Sequence, residues 1–392
     1  MVEPVRICLV YDCLFPHTVG GAERWYRNLA ERLAADGHEV SYLTLRQWPR
    51  GADPGVAGVR VAAVGPRLGL YTASGRRRIG PPLVFGLGVL AHLARRGRGY
   101  DVVHTASFPY FGLLAAGALR RRWRYRLVVD WHELWTREYW RDYLGRAGGW
   151  LGWRVQQRCA RIPQRAFCFS RLHAARLARE GVRGEVTVLR GQYVPDPDPQ
   201  VERYVDEPET VAPVVLFAGR HIPEKQVLAI VPALARARET VPDLRAEIYG
   251  DGPERDRVLA LVRSLGLESA VEVPGFVDHD RVDAALRRAL CLVLPSRREG
   301  YGLVVVEACA AGTPSVLVAG PDNAATELIE EGVNGFVAPS ASAADLAAAI
   351  LRVRDAGEAL RASTAAWYAE NARSLSLADS LERVAAAYGE AA

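Results

Sequence analysis

A chain of 392 residues exceeds what one hydrophobic core supports, since single cores stop growing at roughly 250–300 residues, so two domains are expected. An apolar fraction of 49% with 24% charged residues excludes a disordered or collagen-like chain. Fifty basic against 45 acidic residues leave +5, too mild to imply nucleic-acid binding, and no apolar run reaches the roughly 20 residues of a membrane span.

In chain order, an apolar strand over residues 5–10 leads through a loop into a helix over 22–36, with Trp25, Leu29 and Leu33 on one face. Further strands are expected at 40–45, 101–104, 127–129 and 165–170. The longest apolar stretch, 81–94, is interrupted by Gly86 and Gly88. Strands alternating with helices predict a doubly wound parallel sheet. The Pro- and acid-rich stretch that follows Tyr193 is the best linker, with the boundary near residue 205. Beyond it, strands at 214–218, 246–249, 271–273, 291–294 and 315–318 alternate with helices from Lys225 and at 253–265, 280–289, 303–311, 324–330 and 343–354. The expected organisation is a domain over 1–204, a second over 205–370, and a helical tail over 371–392 that could pack back on the first domain.

The six cysteines are scattered without metal-site spacing and read as buried thiols. No basic-then-apolar leader opens the chain, so the expected location is the cytoplasm. The basic run at 119–126, LRRRWRYR, would allow peripheral contact with the inner face of an anionic membrane, although a solvated helix end in an Arg-biased chain explains it as well.

Ligands of open α/β sheets bind beyond the carboxyl ends of the strands, so the loops leaving the strands carry the candidates. Gly20 and Gly21 precede the first helix, where backbone N–H groups and the positive dipole end suit a phosphate. Every basic residue is Arg except Lys225, so composition does not explain that lysine. In GRHIPEKQ, Arg220 and Lys225 bracket a strand end and could hold a diphosphate, Arg as a fork and Lys as a point charge. In PSRREGYGLVVVEACAAGTP, Glu299 and Glu307 lie eight positions apart and could address two parts of one polyol. Glu307, among apolar neighbours, needs a hydrogen-bond partner. His132, in VVDWHELW, follows a strand and could contact a phosphate or a reacting hydroxyl.

Together, the Gly-Gly, FAGRHIPEK, YGDGP and EGYGLVVVEACAAGTP resemble the retaining glycosyltransferases of family 4, which have the GT-B fold of two Rossmann-like βαβ domains facing across a cleft. Glu299 and Glu307 match that family's E-x7-E motif. The resemblance implies a nucleoside-diphosphate sugar, most often UDP-linked, held by the C-terminal domain, and a hydroxyl-bearing acceptor on the N-terminal one. It implies Arg220 and Lys225 at the diphosphate, Glu307 at the ribose, Glu299 at the donor sugar, Gly20 and Gly21 at the phosphates, and His132 near the reacting sugar. Gly250, Asp251, Gly300, Gly302 and Leu303 would border the donor. Trp131, Trp135, Tyr139 and Trp140, in a stretch richer in Trp than the family leads one to expect, are candidate acceptor contacts. The implied chemistry is front-face displacement with retention. The D-x-D triplets at 196–198 and 278–280 lie in the linker and at a helix N-cap, so no metal or other cofactor is expected. A 2-epimerase on the same architecture and a non-catalytic nucleotide-sugar binder are the competing readings. A dinucleotide oxidoreductase is excluded by the lack of G-x-G-x-x-G.

Overall fold

The computed structural model describes residues 4–18, 20–70, 72, 77–194 and 213–389. They form two compact units: one takes the described residues of 4–72, 77–190 and 378–389, the other 191–194 and 213–377. The expected boundary near 205 and the triplet at 196–198 lie outside the described residues.

The first unit begins with β1 (Arg6–Val10), α1 (Gly21–Ala35), β2 (Glu39–Leu45), β3 (Arg60–Gly65) and α2 (Gly80–Arg96). It continues through β4 (Val102–Ala106), α3 (Tyr110–Trp123), β5 (Arg126–Trp131), α4 (Arg137–Ala160), β6 (Arg165–Cys168), α5 (Arg171–Arg179) and β7 (Val186–Val188). Seven strands pair in parallel in the order β3-β2-β1-β4-β5-β6-β7. The central strands are buried along their length because helices cover both faces, which is why they read as unbroken apolar runs. The stretch at 81–94 is a true helix, α2. Gly86 and Gly88 do not break it but let it close: a Cβ on Gly86 would overlap Phe111, and one on Gly88 would overlap the Val64 carbonyl.

The second unit runs β8 (Val214–Ala218), α6 (Ile230–Ala237), β9 (Arg245–Tyr249), α7 (Arg255–Ser264), β10 (Val271–Gly275), α8 (His279–Arg288) and β11 (Cys291–Leu294). It continues with β12 (Arg298–Glu299), α9 (Leu303–Ala310), β13 (Ser315–Val318), β14 (Asp322–Asn323), β15 (Gly335–Ala338) and α10 (Ala343–Leu375). Six strands pair in parallel in the order β10-β9-β8-β11-β13-β15, and β12 pairs with β14 in a separate ribbon. Asp278 caps α8 by accepting from Arg281 N at 2.9 Å, which accounts for the second D-x-D triplet.

Three expectations change. The helix expected at 324–330 is the 3₁₀ turn Ala324–Leu328. The helix expected from Lys225 begins at Ile230; before it come the 3₁₀ turns Pro223–Lys225 and Val227–Ala229, separated by Gln226 in the left-handed region (φ 48°). The helix expected over 343–354 does not stop there but kinks at Gly357 and runs to Leu375, held by buried Leu360, Trp367 and Leu375. A final helix, α11 (Leu377–Gly389), places residues from Ala378 onward in the first unit.

Candidate active site

In a doubly wound sheet, the crevice opens where successive connections leave in opposite directions. In the second unit that point lies between β8 and β11, and the loops leaving these two strands carry Arg220, Lys225 and Glu299. Arg220 is exposed immediately beyond β8. Lys225, in the 3₁₀ turn, donates from Nζ to Glu299 Oε1, and Ser296 Oγ donates to the same oxygen at 2.8 Å. Glu299 is only 8% exposed, so its charge needs this pairing: an unpartnered carboxylate at that depth costs several kcal/mol. Backbone links fix the two loops to each other, with Arg297 N donating to Glu224 O at 2.9 Å. Buried Asn323 braces the β11 loop by donating to Ser296 O (3.1 Å) and Val318 O (2.9 Å).

Gly302 caps α9 with φ 97°, a conformation that favours glycine, and a Cβ there would stand 2.6 Å from Ala325 Cβ. Gly300 and Leu303 lie half-buried on either side of it, and Glu307 is half-buried farther along α9. Glu307 lies close enough to Tyr193 to help, after burial and together with Tyr368, push the Tyr193 hydroxyl up to about 12. On the neighbouring β9 loop, Gly250 N donates to Gly275 O at 2.8 Å and Asp251 Oδ1 accepts from Gly252 N at 2.7 Å.

In the first unit the reversal lies between β1 and β4. Gly20 and Gly21 leave the β1 loop into α1. A Cβ on Gly20 would overlap the carboxylate of buried Glu23, which folds back over the helix start. His132 follows β5 and stacks on Phe169 (centroids 4.6 Å, planes 3° apart) with Tyr26 edge-on at 6.2 Å. Burial lowers its pKa, opposed by Asp130 and Glu133, so the ring is neutral near neutral pH. Beneath it lies a buried polar chain: Trp25 Nε1 donates to Asp130 Oδ2 (2.7 Å), Asp130 Oδ1 faces His104 Nε2 (2.8 Å), and His104 Nδ1 meets the Tyr388 hydroxyl of α11 (2.5 Å). Burial opposes ionisation of Asp130, but His104, His132 and the Trp25 N–H prevail and hold its carboxyl below the ordinary range.

Comparison with known proteins settles what kind of chain this is. The family model for glycosyl transferases group 1 matches residues 203–373, and that for glycosyltransferase family 4 matches 19–191. A glycogen synthase of Mycobacterium tuberculosis is 30% identical over 380 residues, covering 90% of this chain and 86% of that protein. The chain belongs to the family 4 glycosyltransferases. Its fold is shared with a sucrose-phosphate synthase from Thermosynechococcus elongatus (TM-score 0.78, 20% identity, 98% of each chain). It is also shared with the Anabaena HepE protein solved with UDP (0.73, 20% identity, 97% of this chain and 99% of that one).

For a glycosyltransferase of GT-B type, the expected aromatic acceptor set needs correction. Trp131 is the last residue of β5, fully buried, its Nε1 donating to Gln164 Oε1 at 2.9 Å. Trp140 is buried with Nε1 on Gln156 at 3.0 Å. Both are core, because their indole N–H groups find glutamine partners inside the unit, and neither offers a surface to an acceptor. Tyr139 is also buried and packs edge-on against Trp135 (4.7 Å). Of the four, Trp135 alone is half-buried, with Nε1 on Glu133 at 3.0 Å. Reading the sequence alone missed Ser296, Asn323, Asp130 and His104. Asn323, Asp130 and His104 act through partners remote in sequence, whereas Ser296 lies three residues before Glu299 and carries no signal of its own.

Proposed function

We propose that this glycosyltransferase moves a sugar from a nucleoside-diphosphate sugar, a UDP-sugar, to a hydroxyl of a small-molecule, glycan or lipid-linked acceptor, with retention and without a metal. The observation that carries this reading is the Lys225–Glu299 pair at the reversal point of the second sheet, with Arg220 exposed beside it. Two cations at one strand end suit a diphosphate, and Glu299 holds the ammonium in place before any ligand arrives. The UDP held by the Anabaena neighbour supports the choice of base.

In this reading, Arg220 and Lys225 stabilise negative charge as the bond between sugar and diphosphate lengthens. The acceptor hydroxyl attacks the same face, its oxygen bonds to the anomeric carbon, and its proton passes to the departing phosphate oxygen. Glu307 binds the ribose, and Glu299 is shared between Lys225 and a sugar hydroxyl. Gly250, Asp251, Gly300, Gly302 and Leu303 line the donor. On the first unit, Gly20 and Gly21 offer backbone N–H groups to an anion, His132 a neutral ring to a hydroxyl, and Trp135 a contact to the acceptor. Thermal unfolding with a panel of UDP-, GDP- and ADP-sugars in chelator tests the donor, since a ligand at about 100 times its Kd adds roughly 2.7 kcal/mol. Stabilisation by UDP-sugars, and a product with the donor's anomeric configuration by NMR, is the expected result. Stabilisation that requires Mg²⁺ or Mn²⁺, or an inverted product, would overturn it.

A further inference from the structure

Helix α2 packs its inner face through Phe85, Val89 and Leu93, and through the close approach of Gly86 to α3 and Gly88 to β3. Its outer face is bare and apolar. Ile79, Leu83, Val84, Leu87 and Leu90 are all exposed, Leu87 to 68% and Ile79 to 62%. From residue 79 to residue 94 no exposed position carries a polar side chain. They make up half of the large hydrophobic side chains exposed among the described residues, on one element. Scattered exposed apolar residues are ordinary, but a contiguous stripe at helical spacing marks a binding surface.

The charge around this stripe has one sign. Between residues 54 and 129 the sequence holds thirteen arginines and a single acid, Asp101, which is paired with Arg6 at 2.7 Å. Gly97 lies so close to the Trp123 indole that the last turns of α2 and α3 meet. There Arg95, Arg96 and Arg98 gather with Arg121, Arg122 and Arg124, all exposed and none in an ion pair among the described residues. Arg78 is exposed at the other end of the stripe. An apolar face of about 25 Å, from 17 residues at ~1.5 Å each, flanked by unpaired arginines, fits the boundary between headgroups and acyl chains of an anionic bilayer. No helix among the described residues is long and apolar enough to cross a membrane, so the contact is peripheral.

We infer that α2 is a membrane-docking helix: Ile79, Leu83, Leu87 and Leu90 enter the acyl boundary while the arginines at the ends of α2 and α3 bind anionic phospholipid headgroups. Docking of this kind is independent of the transfer chemistry.

Flotation of the full chain with vesicles of phosphatidylcholine, with and without about one third phosphatidylglycerol, tests this. Binding is expected on the anionic vesicles alone, and it weakens as salt rises. Leu83→Ser with Leu87→Ser, and Arg95→Gln with Arg96→Gln, should each reduce partition at least about tenfold without moving the unfolding transition. Leu87→Trp keeps the face apolar, so it should still bind, with a blue shift of indole emission on adding anionic vesicles. No binding of the wild type to anionic vesicles, or unchanged binding by both double variants, overturns the inference. So does a wild-type dimer that Leu83→Ser with Leu87→Ser converts to monomer, which would assign the face to a second copy of the chain.

Discussion

Lys225 and Glu299 stand 74 positions apart and share one hydrogen bond. Composition pointed to the lysine, and the eight-residue spacing pointed to the glutamate, but nothing in a linear pattern could say that the two meet. Their meeting changes what substitution should do. Removing Glu299 leaves an ammonium without its partner, so Glu299→Ala is expected to disturb diphosphate binding as well as sugar recognition. A double-mutant cycle over Lys225→Ala and Glu299→Ala, read in nucleoside diphosphate affinity, should show a coupling of roughly 0.5–3 kcal/mol. A coupling of zero would mean that the pair plays no part in the site. His221, one residue beyond Arg220, carries a different prediction. Its ring is fully buried, and the Tyr249 backbone and the Asp251 charge offset that burial only in part. Burial lowers its pKa. The unfolded chain, with an ordinary value of about 6.5, therefore takes up the proton first, and stability falls as pH drops below that value. His221→Leu removes that burial penalty. The variant should gain on the order of 1 kcal/mol and lose less of its melting temperature between about pH 7 and about pH 5 than the wild type.

Among the elements, the central strands were legible because burial on both faces demands continuous apolar runs: 214–218, 291–294 and 315–318 match β8, β11 and β13. At the sheet edges only β10 was, from the expected strand at 271–273. β3 and β15 end their sheets, carry glycine, and owe their existence to a neighbour rather than to their own pattern. Helix α2 had no range of its own for a related reason: Gly86 and Gly88 interrupt its apolar pattern locally but are sites of close packing once α3 and β3 are in place. The loops bearing the site follow the same division. Their residue types were readable, but the 3₁₀ turns that aim Lys225 were not, because Gln226 in the left-handed region has no sequence signal. Helix α11 brings buried Leu381, Val384 and Tyr388 to the first unit. Tyr388→Phe removes the hydroxyl bonded to His104 and should cost about 1 kcal/mol in urea unfolding. Deleting residues 378–389 exposes the surface those side chains cover and should cost several times more. Equal midpoints for wild type and the truncated chain would show that α11 contributes nothing to the first unit.

For the whole molecule, each unit repeats one rule, a parallel sheet whose connections reverse once, between β1 and β4 in the first unit and between β8 and β11 in the second. In the reading proposed above, the second unit carries the donor residues. The family comparison carries the enzyme class, while the assignment of the donor rests on Arg220, Lys225 and Glu299 in the second unit. The most direct measurement of that assignment is calorimetric titration of UDP, in the presence of chelator, into the wild type and Lys225→Ala. The wild type should bind UDP without metal, and the variant should bind at least about tenfold more weakly, a loss of ~1.4 kcal/mol or more. Equal affinity in the two proteins, or no binding until metal is added, would contradict the account.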